Sequence, residues 1–246
     1  MDALLPYALE LTPWIALTAV AFLLVPRTAP LGRVAIGILG FLLVRDAMTE
    51  HGLWALGVAD GVLWLRFIDA PVALLVMGAL SAGLAAAICW GLGRDARRRM
   101  RFVGRSRLGS VLVGLGGAVI VVLPVLGIQW LADVPLAERG GAMSPAALVV
   151  LPIFALAGNA LEEVLFRGGL QGTLDVPGWR GALASGTAFA AGHVMLATLV
   201  TDIGWPLVAF TLWEGIVCGY VWLRGGLVGS TLTHGLAIAV LASGLL

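Results

Sequence analysis

Apolar residues in this chain run in long continuous blocks, with the polar residues gathered between them. Blocks of roughly twenty apolar residues, the length of a helical bilayer crossing, recur from end to end. They do not alternate every second residue, which selects helices over a barrel. The pattern places spans at about 8–25, 32–48, 68–92, 108–131, 146–166, 181–199, 205–223 and 227–245. The expected fold class is all-α, a polytopic transmembrane helix bundle of about eight spans. The stretch 49–67, "TEHGLWALGVADGVLWLRF", breaks the pattern. It is too charged for a span and reads as an amphipathic interfacial helix.

Composition excludes a water-soluble domain: 60% of the 246 residues are hydrophobic, 12% are charged, and mean hydropathy is +1.02. The net charge of +1 selects no partner, but its distribution is informative. All fifteen basic residues are arginine, and seven lie in "GRDARRRMRFVGRSR", 93–107. Positive loops are retained in the cytoplasm. With 93–107 inside and eight spans, twelve of the fifteen arginines fall on that side; Arg45, Arg66 and Arg139 do not. One span more or fewer within 49–67 would break that agreement. No nucleic-acid partner is expected from a single short loop. The first residues lack a basic region, so the first span is expected to be retained rather than cleaved. Trp90, Trp130, Trp205 and Trp222 fall near span ends, as interfacial aromatics do. Cys89 and Cys218 read as packing residues, and Gly215 and Gly219 as a close-packing pair at helical spacing. The expected organisation is 1–144, N-terminal transmembrane helices with the cytoplasmic Arg-rich loop, and 145–246, a catalytic membrane core.

Ionisable residues inside spans are costly and mark functional sites. In the C-terminal half these are Glu162, Glu163, His193, Glu214 and His234. The two adjacent glutamates fall one turn from the inner end of their helix, His234 ~10 Å and His193 ~18 Å from the inner ends of theirs at 1.5 Å per residue. Four helices can therefore converge on one cavity opening toward the cytoplasmic half. Glu163 and Arg167 share a helix face, and Asn159 lies one turn earlier on that side. Glu162 diverges from Glu163 by about 100°, so one carboxylate can face a cavity while the other takes the arginine. A base of raised proton affinity suits hydrolysis near neutrality. Glu214 reads as a paired structural acid, and His51 as a surface residue.

These residues resemble a known family. "EEVLFR" (162–167) matches Glu-Glu-x-x-x-Arg, "FAAGH" (189–193) matches Phe-x-x-x-His, and "THGLAI" carries a third-motif histidine at 234. Their order and spacing are similar to the CAAX protease and bacteriocin-processing family, which includes the prenyl-protein endopeptidases acting on CAAX termini. The resemblance covers about 145–246. It implies a glutamate-type intramembrane endopeptidase without a metal or other cofactor, acting on a membrane-associated peptide or protein. By that resemblance Glu162 with His193 activates water, Glu163 and Arg167 support the group, and His234 helps hold the oxyanion. The family's third motif ordinarily continues to an asparagine four residues on; here that position is Ile238. Asn159, the chain's single asparagine, is the amide available to replace it.

Other readings stay open at this point. A non-catalytic relative could act as an immunity or scaffold protein. Two glutamates and two histidines could hold zinc, two histidines a haem, and a carboxylate relay could serve a transporter. The setting implied is an integral multi-pass protein of a prokaryotic plasma membrane.

Overall fold

The structure is a computed structural model that describes residues 3–174 and 176–245. Eight helices and one β-hairpin follow in order. They are α1 (Leu4–Leu24), α2 (Pro30–Glu50), β1 (Trp54–Ala59), β2 (Val62–Phe67), α3 (Pro71–Gly91), α4 (Arg94–Arg99), α5 (Arg107–Ala132), α6 (Pro145–Leu174), α7 (Gly178–Val200) and α8 (Trp205–Ala242). Helices α1, α3, α5, α6, α7 and α8 are each long and apolar enough to cross a membrane. Helix α2 spans 21 residues and is less apolar, but Arg33, Arg45 and Asp46 on it are buried inside the bundle.

Helix α8 is too long for one crossing. Its 38 residues would reach ~57 Å if straight, about twice a bilayer's hydrocarbon thickness. The chain breaks at Gly226, where φ is 65° and ψ −165°. The limbs 205–225 and 227–242 fold back on each other along α5. Val121 and Val122 of α5 share one apolar cluster with Phe210 and Val217 of the first limb and Ala237 and Leu241 of the second. The two limbs therefore run antiparallel. No side chain tolerates the Gly226 conformation easily, and a Cβ there would lie 2.5 Å from the Arg101 carbonyl oxygen. Gly226→Ala is expected to destabilise the protein by roughly 1–3 kcal/mol, read as a lower thermal midpoint in detergent; an unchanged midpoint would refute it.

The stretch 49–67 corrects the expectation of an interfacial helix. It is an antiparallel hairpin pairing Trp54 with Phe67 through Ala59 with Val62. Its turn is Asp60-Gly61, both residues at positive φ (45° and 80°), the turn that Asp-Gly favours between twisted strands. The hairpin crosses nothing and closes one end of the bundle. Arg66 donates from Nε to the Gly141 carbonyl (2.8 Å) and from Nη1 to that of Leu241 (3.0 Å). The opposite end is rich in arginine and contains α4 and the Gly226 turn.

A second correction concerns Trp222. Trp90, Trp130 and Trp205 are strongly exposed, as expected of interfacial aromatics, whereas Trp222 is buried. Its indole N–H donates to the Met100 carbonyl (2.9 Å), so it pins the loop after α4 to α8. Gly215 and Gly219 do pack closely: Cβ atoms built on them would lie 2.9 Å from the Cα atoms of Gly186 and Ala182 on α7. Without side chains at these points, the backbones of α7 and α8 approach directly.

Candidate active site

Helix α6 runs on past the expected end of its span to Leu174, widening into a π-helical stretch over Val164–Gln171. Glu162 and Glu163 therefore lie near the middle of a 30-residue helix, not one turn from its end. The continuation is possible because Arg167, the polar residue that suggested an end, is fully buried and paired.

Glu163 is fully buried, and its Oε1 takes both the Arg167 Nη1 contact (2.9 Å) and the His234 Nδ1 contact (2.9 Å). Arg167 also donates from Nη2 to the Gly215 carbonyl (3.0 Å), and its guanidinium lies over the Phe189 ring (4.6 Å). One turn further along both helices, Gln171 donates to the Gly219 carbonyl (3.1 Å). His234 is held from its other side by Glu214, whose Oε2 is 3.5 Å from Nε2. The imidazole thus sits between two carboxylates, an arrangement that attracts an imidazolium from both sides.

His193 lies at a break in α7, where Gly192 and His193 leave the helix. Its Nδ1 is 2.8 Å from the Phe189 carbonyl, and its Nε2 is 2.9 Å from Arg45 Nη1. A carbonyl can only accept and a guanidinium can only donate. The hydrogen therefore resides on Nδ1, and the Nε2 lone pair accepts from Arg45. Arg45 is 4% exposed; it also donates to the Gly192 carbonyl (2.9 Å) and pairs with Asp46 (2.6 Å). Phe189 joins the two halves of the site: ring centroids lie 4.5 Å from His193 and 5.5 Å from His234.

Glu162 differs from these groups. It is buried, yet it takes no hydrogen bond from any described residue, and its Oε2 is enclosed without a partner. Asn159 is buried too, but its amide donates back to the Ala155 carbonyl (2.7 Å) on its own helix. Ile238 packs among the apolar residues beneath the hairpin, with Leu53, Leu74 and Phe154 in the same cluster.

The structure thus brings Glu163, Arg167 and His234 into direct contact and sets His193 beside them across Phe189. It adds two groups that sequence reasoning left outside the site. In the sequence Arg45 stands only as an exception to the charge pattern, and that exception is the available signal: a cation deep in a span needs a partner. Glu214, a structural acid by its sequence setting, has His234 as its partner. For a metal, Glu163, Cys218 and His234 offer donor atoms within 4.8 Å of one another. The Arg167 guanidinium occupies Oε1 of this Glu163 carboxylate.

No curated protein and no solved structure matches the chain. One family model does, described as type II CAAX prenyl endopeptidase, Rce1-like, over residues 144–240. That region, less than half of the chain, holds Glu162, Glu163, Arg167, His193, Glu214 and His234, and over it this integral multi-pass membrane protein is similar to the type II CAAX prenyl endopeptidases.

Proposed function

We propose that the protein is an intramembrane endopeptidase that hydrolyses a peptide bond of a membrane-associated protein or peptide, with Glu162 as the base for water and no resident metal. The observation that carries this reading is Glu162 itself. A buried carboxylate without a donor is costly, while Glu163, Arg167, His193, His234, Glu214 and Arg45 around it each have a partner. Water or a substrate group is what completes its bonding.

In the reaction the water oxygen bonds to the scissile carbonyl carbon while Glu162 takes the water's proton. The C–N bond then breaks, and Glu162 returns that proton to the leaving nitrogen. Glu163, fixed by Arg167 and His234, keeps its helix and His234 in place. Arg45 answers the gap at Ile238: its N–H turns from His193 Nε2 to the developing oxyanion, leaving that lone pair to hold the water. A guanidinium stabilises such charge strongly. Asn159 Nδ2 gives one N–H to the Ala155 carbonyl, which ties the amide to its own helix. The arginine asymmetry supports a cytoplasmic Arg-rich end and a site opening toward that half of the bilayer.

Arg45→Gln is expected to lower cleavage about 10²–10³-fold, as loss of an oxyanion donor does. Asn159→Ala should stay within a few-fold of wild type. A wild-type rate in Arg45→Gln would remove Arg45 from the chemistry. The function is tested by comparing the membrane proteomes of cells with the wild type, Glu162→Gln and His193→Ala. A precursor that accumulates in both variants supports the protease. The apolar setting of Ile238 favours a second reading, a non-catalytic immunity or scaffold protein that keeps the fold, and identical proteomes would support that one.

A further inference from the structure

The Arg-rich end carries a cavity of about 670 Å³, separate from the Glu162 site. Arg27 and the α4 residues Arg94, Arg97 and Arg99 line it, together with Trp90 at the end of α3 and Thr173 at the end of α6. Among the described residues Asp95 is its single acid, and no carboxylate of a described residue lies within 4 Å of any of the four guanidiniums. The Thr173 hydroxyl is buried and has no hydrogen-bond partner.

The chain builds this hollow from fixed parts. Gly93, at φ 88°, opens α4, and the stem of Arg27 lies across its bare face. Beneath, Arg33 ties the ends of α1 and α3 together by donating to the carbonyls of Val25 (2.7 Å) and Gly91. The neighbouring surface is apolar: Trp90 is 74% and Leu24 77% exposed. Tryptophan at a span end marks the headgroup level of a bilayer. The cavity therefore joins uncompensated positive charge to a lipid-facing rim.

We propose that this cavity binds the phosphate headgroup of an anionic phospholipid. Guanidinium groups match phosphate oxygens in charge and in geometry, and the free Thr173 hydroxyl adds a donor. Retention of a loop in the cytoplasm needs only positive charge; it does not require four arginines around one concave site at headgroup depth.

The test uses the full chain in detergent, with thermal unfolding followed while phosphatidylglycerol, phosphatidylcholine of the same acyl chains, or inorganic phosphate is added. Phosphatidylglycerol is expected to raise the midpoint saturably, and phosphatidylcholine is not. Arg94→Gln/Arg97→Gln should weaken that response about tenfold or more, at ~1 kcal/mol per arginine near a charged headgroup. Arg98→Gln/Arg105→Gln, which removes two arginines outside the cavity, should leave it unchanged. Equal stabilisation by phosphatidylcholine, or an equal loss in the two double variants, would overturn the site. Saturation by inorganic phosphate with no gain from the lipid would assign the cavity to free phosphate and overturn the lipid.

Discussion

Glu162→Gln is expected to lower cleavage by about 10²–10⁴-fold, the range of general-base catalysis, while leaving the fold intact. The amide has nearly the shape of the carboxylate. No protein hydrogen bond is lost, because none reaches Glu162 among the described residues. Replacing a buried, unpaired carboxylate by a neutral group removes a desolvation cost, so the thermal midpoint should hold or rise. The measurement pairs a cleavage rate on the precursor found by membrane proteomics with a melting curve of the same sample. A variant that keeps its rate to within several-fold would show that another group takes the proton. A variant that loses its fold would show that Glu162 has a structural partner.

The crossing segments were legible because burial in lipid leaves a signal in composition alone. The break between the last two spans could be read at Arg224-Gly225-Gly226, where charge and small residues interrupt the run. What hydropathy could not carry was a strand signal within an amphipathic stretch. "VADGVL" holds an Asp-Gly turn between apolar residues, and turn chemistry rather than mean hydropathy identifies it. Trp222 shows the same limit from the other side: its position near a span end was right, but burial depends on which face meets a neighbour.

The grouping of Glu163, Arg167, His193 and His234 was legible because intramembrane polar groups seek one another, although the glutamates lie further from the end of their helix than the apolar pattern implies. Arg45 was not, because it reaches the site from a helix 148 positions away from His193. The charge rule also accounts for its three exceptions. Arg45, Arg66 and Arg139 are all buried and each donates to a backbone carbonyl. They stand outside a rule that counts cations in short exposed loops.

Arg167→Met is expected to reduce stability by about 3–5 kcal/mol, the effect of leaving one partner of a buried ion pair alone. Glu163 and Arg167 are both fully buried and 2.9 Å apart, so water cannot compensate. Arg167 also carries the Gly215 contact that joins α6 to α8. His234 remains on the same Glu163 oxygen and offsets part of the loss. The double variant Glu163→Gln/Arg167→Met should therefore be more stable than Arg167→Met alone, because it removes the stranded charge together with its partner. It should still be inactive, since His234 has then lost one of its two carboxylates. Denaturant titration of the three proteins in detergent measures the difference. A double variant as unstable as the single would mean that the guanidinium acts mainly through Gly215 and Phe189. A single variant as stable as wild type would mean that the pair contributes nothing to the fold. Separating the two glutamates in this way is the sharpest check on their assignment, because loss of Glu162 is expected to stop chemistry without unfolding and loss of the Glu163 pairing to do both.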